Sequence, residues 1–254
     1  MIVLYWKGNG RGEETMLEQI VIPLLLYELL ISLFPSFFPS LGALGSVTAG
    51  NLLAVPVLVF WVSGHGQNLS LSWKRADSFR KRILYLLAGG IAVSILLNNL
   101  MIIGGLFRLF PSVAEVQESI YAQALWLQIL GTGIIIPIAE ELVYRGILYR
   151  RLREYSGVRA AVLWSAVLFG VMHGNVVQGI YAGLMGVFLA WAYEICGSFL
   201  APVMIHIAAN MSSISGSYWM RQQEEFCQER SFYIITAIMA AVAVWSAVGI
   251  KNRR

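Results

Sequence analysis

Charge is what this chain has least of. Only 13% of its 254 residues are Asp, Glu, Lys or Arg, while 58% are hydrophobic. An ordinary soluble domain carries roughly 25% charged residues. That shortage argues against one solvated globule and points to several membrane spans. Cysteine is nearly missing too. Cys196 and Cys227 form no CxxC or other thiolate metal pattern. The topology expected from the basic residues puts them on opposite sides of a membrane, which argues against a bond between them. The basic stretches lack interleaved aromatics and adjoin apolar spans, so no nucleic-acid partner is expected. Long linkers, low-complexity tracts and a convincing internal repeat are also lacking. Residues 1–254 therefore read as a single integral membrane domain, with a motif-bearing core at about 119–215.

Apolar runs fill most of the chain instead. Eight candidate spans fall at approximately 17–34, 47–63, 83–103, 119–149, 159–175, 178–195, 198–214 and 232–250. The expected fold class is all-α: a polytopic membrane helical bundle with about eight transmembrane helices. The fourth run exceeds the ~20 residues that cross a bilayer, so it must tilt, kink or protrude. Pro137 cannot donate to the carbonyl of Gly133, which supplies a cause for a kink. Pro202 is expected to disturb the seventh span in the same way. The first span, from Leu17, carries Glu28 and no clean cleavage site comes after it, so it is not read as a signal peptide. Met16 stands just before it, and translation is expected to start there, leaving 1–15 as an artefact of the start assignment. Gly179 and Gly183 form a GxxxG pair, read as packing between helices of one chain.

Basic residues set the expected orientation. Lys74, Arg75, Arg80, Lys81 and Arg82 lie between spans two and three; Arg150, Arg151, Arg153 and Arg159 come after span four; Lys251, Arg253 and Arg254 form the tail. All three groups share one side if both termini are cytoplasmic. The expected location is a bacterial plasma membrane.

Against this apolar background the few charges inside spans stand out. Each costs several kcal/mol at bilayer depth unless paired or facing a cavity. Glu140, Glu141 and Arg145 sit in Ala139-Glu-Glu-Leu-Val-Tyr-Arg145. Glu141 and Arg145 are four apart and can pair, which leaves Glu140, rotated by about 100°, for another task. The second group is Phe169-Gly-Val-Met-His173. The third is His206-Ile-Ala-Ala-Asn210, whose two polar side chains share a face. At about 1.5 Å rise per residue, Glu140 lies about 15 Å before Arg150, His173 about 20 Å beyond Arg159, and His206 and Asn210 about 12–18 Å from Ser198. All fall within a layer about 10 Å thick. Independent packing residues need not agree in depth, so one shared site is expected.

A carboxylate beside a neutral histidine can hold and deprotonate water. A histidine and an asparagine on another helix can donate to an oxyanion. No serine or cysteine has an identifiable paired base; Ser212 and Ser213 stand just after Asn210 without one. Two histidines and a glutamate also suit zinc, with Glu140, His173 and His206 as the ligands if a metal is required.

The ordered set EExxxR (Glu140–Arg145), FxxxH (Phe169–His173) and HxxxN (His206–Asn210) resembles the CAAX-protease and bacteriocin-processing (CPBP, or Abi) family of intramembrane endopeptidases, which are type II CAAX prenyl endopeptidase-like. The resemblance covers about residues 120–215. It implies a water-filled cavity open towards the cytoplasm or the inner leaflet, water activated by Glu140 and His173, an oxyanion site at His206 and Asn210, and orientation by Glu141 and Arg145. The family is often labelled metalloprotease. A metal-free route is favoured, because a neutral amide such as Asn210 is a poor zinc ligand and a good oxyanion donor. The expected partners are the lipid bilayer and a membrane-associated peptide or protein substrate. Peptide maturation, bacteriocin self-immunity or signalling are the implied roles.

Two other classes compete. One is a non-catalytic membrane regulator that binds a kinase or peptide in the same pocket. The other is a proton-coupled transporter, against which the missing inverted repeat argues. Glu28, Asn98, Asn99 and Glu194 are read as packing or interfacial groups, and His65 as a surface residue.

Overall fold

The computed structural model describes residues 17–64, 81–220 and 230–252. Among these there is no β-strand, and the polypeptide is a bundle of helices. The expectations for the Met16 start, His65, Cys227, Arg253 and Arg254 and for most of the basic run at 74–82 lie outside the described residues.

A π turn, Leu17–Val21, leads into α1 (Ile22–Phe37), with Pro23 in its first turn, where a missing N–H costs nothing. α2 spans Gly42–Gly64 and α3 Ile83–Ile103. A short helical turn, Leu106–Leu109, leads to α4 (Ser112–Tyr121). α5 (125–149) joins four segments without a break: Leu125–Leu127, a π stretch Gln128–Ile135, an α turn Ile136–Glu141 and a second π stretch Leu142–Tyr149. α6 is Arg150–Val171, α7 Val176–Cys196, α8 Leu200–Met220 and α9 Arg230–Asn252.

Six helical runs among the described residues are long and apolar enough to cross a membrane, one of them the 47-residue run Leu125–Val171. That run holds the expected fourth and fifth spans, divided at Gly157 (φ 78°). With α8, the eight expected helical segments all form. The chain is an integral membrane protein by its apolar helices.

Several boundaries differ from expectation. The fourth span begins at Leu125, not 119, because Ala124 turns extended (φ −56°, ψ 135°) and residues 119–121 belong to α4. Arg150, Arg151 and Arg153 sit on helix rather than in a loop. Residues 150–156 hold no proline or glycine, so the helix runs on until Gly157 adopts a positive φ. Pro202 does not disturb α8: it is the third residue, where backbone N–H groups have no intrahelical partner anyway. Pro137 stands at a change from π to α register, so its lost bond falls where the ladder already shifts.

The glycine pair does what the sequence reading gives it. A Cβ added at Gly170 of α6 would lie 2.5 Å from the Gly179 carbonyl oxygen and 3.3 Å from Gly183 Cα on α7. The two helices therefore touch backbone to backbone within one chain. Polar bridges tie other helices together. Tyr27 donates to Asn51 between α1 and α2, and Asn99 to Thr236 between α3 and α9. Arg153 and Tyr149 both donate to Glu194.

Candidate active site

Glu141 and Arg145 lie on one face of α5 and are both fully buried. Arg145 Nη1 donates to Glu141 Oε1 at 2.8 Å, and Nη2 donates to the Gly186 carbonyl of α7 at 3.1 Å. Gly186 packs tightly here, since a Cβ there would sit 3.1 Å from Arg145 Nη2 and 3.1 Å from Ala166 Cα. The guanidinium lies 4.5 Å from the centre of the Phe169 ring. A cation sealed from water gains about 2 kcal/mol from such a face.

His206, from α8, reaches the same carboxylate. Its Nδ1 lies 2.8 Å from Glu141 Oε1. A carboxylate can only accept, so Nδ1 carries a proton and donates to Glu141. The other ring nitrogen, Nε2, is then directed to Glu140, whose Oε2 is 3.6 Å away. The side chain of His206 is 7% exposed and that of Glu140 17%, against 0% for Glu141 and Arg145. The site thus has a sealed charged pair and, next to it, a partly exposed pair.

His173 arrives differently from the expectation of a residue inside a span. α6 ends at Val171, and His173 occupies the turn just after it, before Gly174 (φ 74°). Its Nδ1 is 2.7 Å from the Phe169 carbonyl, an acceptor, so Nδ1 donates there and Nε2 is left for another partner. Asn210, one turn beyond His206, donates from Nδ2 to the Thr132 carbonyl at 2.7 Å and keeps a second N–H.

Glu140, His173, His206 and Asn210 all line one cavity of ≈ 1780 Å³, whose remaining walls are largely apolar. Glu141 and Arg145 stand behind that wall. No hydrogen bond or ion pair joins His173 to Glu140 or Asn210 to His206; the cavity is what these four share. The alternative zinc set is not gathered as a ligand group. Among the described residues no three His, Cys, Asp or Glu side chains are disposed to hold a metal. Nδ1 of each site histidine is engaged, by Glu141 and by the Phe169 carbonyl.

Sequence reasoning gave no role to three neighbours. Phe169 is packed edge-on by Tyr144 (4.9 Å), His173 (4.7 Å) and His206 (5.8 Å). Tyr144 donates to Glu28 of α1 at 3.0 Å, which gives Glu28 a partner at the site. Its charge inside a span was the signal. Thr132, whose carbonyl holds Asn210, carries none.

Residues 122–212 match the family model of the type II CAAX prenyl endopeptidase Rce1-like proteins, a window that contains Glu140, Glu141, Arg145, His173, His206 and Asn210. YdiL of Bacillus subtilis (strain 168), named as a candidate membrane peptidase, is 31% identical over 88 residues, covering 35% of this chain and 36% of YdiL. The UPF0177 protein YxdF of Lactococcus lactis subsp. lactis (strain IL1403) is 23% identical over 163 residues, covering 63% of this chain and 88% of YxdF. YajF, a UPF0177 protein of the same strain, is 30% identical over 107 residues, covering 42% of this chain and 49% of YajF. The matched region thus spans little more than a third of YdiL and half of YajF. No solved structure matches.

Proposed function

We propose that this chain, whose residues 122–212 match the Rce1-like model of type II CAAX prenyl endopeptidases, is an intramembrane endopeptidase working by activated water. The observation that carries the proposal is the 3.6 Å approach of His206 Nε2 to Glu140 at the wall of a large cavity, with His206 anchored from behind by Glu141.

In this reading Glu140 accepts a proton from water as the water oxygen attacks the substrate carbonyl carbon. His173 orients that water through Nε2. The carbonyl π electrons move onto oxygen, and the oxyanion takes hydrogen bonds from Asn210 Nδ2 and from protonated His206 Nε2. The Glu141 carboxylate stabilises the imidazolium, and Arg145 holds Glu141 in place. The 3.6 Å gap leaves room for oxygen to enter beside both groups. Glu140 then delivers its proton to the leaving nitrogen as the C–N bond breaks, giving a carboxylate and an amine. No step runs through a metal. The substrate is a membrane-associated peptide or protein, reached from the cytoplasmic side of a bacterial plasma membrane with both termini cytoplasmic, in peptide maturation, self-immunity or signalling.

The test compares peptide termini in membrane and secreted fractions from cells making wild type or Glu140→Gln at matched levels. Termini that need Glu140 support proteolysis and identify substrates. Identical termini together with an intact phenotype favour a regulator that binds a kinase or peptide in this pocket.

A further inference from the structure

An extended peptide at membrane depth brings a backbone N–H and C=O per residue, and each costs free energy if left without a partner. Proteases commonly satisfy these groups by adding the substrate to a strand edge, as a peptide adds to an exposed sheet. Among the described residues here there is no strand, and helix backbones bond internally. Only polar side chains on the cavity wall can take up the substrate backbone.

Outside the catalytic layer, one such group gathers from three helices. Tyr181 of α7 donates to Ser94 Oγ of α3 at 2.8 Å. Ser94 Oγ lies 3.1 Å from Ser213 Oγ of α8 and 3.1 Å from the Ala209 carbonyl oxygen. Ser213 and Ser212 also approach that oxygen, at 3.2 and 2.8 Å. All four hydroxyl-bearing residues line the same cavity as Glu140 and Asn210.

The arithmetic of this cluster is unusual. The Ala209 carbonyl has two lone pairs and takes the N–H of its own helix ladder, yet three hydroxyls converge on it. Its donors are in excess. One hydroxyl hydrogen can turn to an incoming carbonyl while another takes its place at Ala209, so the cost of diverting it is small. The oxygens of Tyr181 and Ser213 keep lone pairs that can accept an N–H. A peptide group needs one donor and one acceptor, and the cluster supplies both.

Its position relative to the chemistry also suits a peptide. Ser213 is three residues beyond Asn210 on α8, about 4.5 Å along the helix. An extended chain advances about 3.3–3.6 Å per residue. The cluster therefore meets the peptide group next to the one held at Asn210.

Resting on the endopeptidase reading, we propose that Ser94, Tyr181 and Ser213 form a subsite that binds the substrate backbone one peptide group away from the scissile bond. It is indifferent to side-chain identity at that position and selects for a free backbone amide.

The test uses purified protein in liposomes with a synthetic peptide covering a Glu140-dependent cut mapped in cells. It also uses copies of that peptide N-methylated at one backbone amide at a time. Tyr181→Phe and Ser213→Ala each keep the helix and its packing volume. Each is expected to raise KM by about 2- to 10-fold with kcat held, the range for one net hydrogen bond. In wild type one N-methylation adjoining the cut should cost a similar factor, and in the double variant that same methylation should cost nothing further. If the double variant cleaves with unchanged KM, or the methylation penalty is fully additive, the subsite is overturned while the protease reading stands. If no cut depends on Glu140, the protease reading itself has failed, and the subsite with it.

Discussion

Arg145→Leu should be the most damaging single change outside the cavity wall. The side chain is fully buried and makes three separate interactions: Nη1 to Glu141, Nη2 to the Gly186 carbonyl, and its flat face to Phe169. Glu141 Oε2 already has no hydrogen-bond partner among the described residues. Removing the cation leaves a buried carboxylate with His206 alone. Breaking a buried pair from one side costs about 3–5 kcal/mol, because the remaining charge is uncompensated. Thermal unfolding in detergent, at matched lipid content, should then fall on the order of 10 °C for a chain of this size. Arg145→Lys keeps the charge but cannot span Glu141 and Gly186 together, so an intermediate loss of about 1–3 kcal/mol is expected. The informative control is the double change Glu141→Gln with Arg145→Met. It removes both charges and should recover much of the stability. It should not recover cleavage, since His206 Nδ1 then faces a neutral amide. A wild-type melting temperature for Arg145→Leu, or active enzyme from the double change, would refute this account.

Gly170→Ala should destabilise the protein by about 1–3 kcal/mol and reduce cleavage, because its Cβ meets the Gly179 carbonyl 2.5 Å away and must move α6 against α7. Gly216→Ala on α8, with nothing within 4 Å, should melt no lower than wild type; equal melting of the two variants would refute the close-packing argument. Asn210→Ala should lower kcat by about 10²–10³ with a small change in melting temperature, as loss of an oxyanion donor does, and a pure KM effect would remove it from that role.

The residues of the site were legible because charge is scarce in this chain. Against an apolar background Glu140, Glu141, Arg145, His173, His206 and Asn210 could be picked out by type alone, and spacing paired Glu141 with Arg145. Depth arithmetic put His173, His206 and Asn210 in one layer with Glu140, and these four do line one cavity, from α6 and its closing turn, α8 and α5. Spacing could not give the rotation of one helix about its axis relative to another. That is why His206 proves to be bonded to Glu141 and near Glu140, while His173 donates to the Phe169 carbonyl four residues back. Helix ends were misplaced where backbone, not hydropathy, decides. Ala124 and Gly157 break helices inside polar or mixed stretches, and Arg150 to Tyr155 continue a helix that composition read as loop. The π stretches on either side of Glu140 and Glu141 leave no mark in a hydropathy pattern, because they alter the ladder and not the side chains.

Those π stretches and Phe169 explain why three short motifs on separate helices can act as one unit. A π turn adds a residue and rotates the rest of the helix, so the face of α5 that carries Glu140 need not be the face an uninterrupted α-helix would present. Gln128–Ile135 lies before the carboxylates and Leu142–Tyr149 after them, so the short α turn Ile136–Glu141 is set by a shift at each end. Phe169 then fixes the three motifs to one point. Its ring carries the Arg145 guanidinium over its face and the edges of His173 and His206 beside it, and its own carbonyl sets the His173 tautomer. The phenylalanine of FxxxH is therefore not a spacer before a histidine. It is a buried side chain in contact with a residue from each motif. Phe169→Leu, which keeps the burial and loses the ring, should reduce the rate more than it reduces the melting temperature.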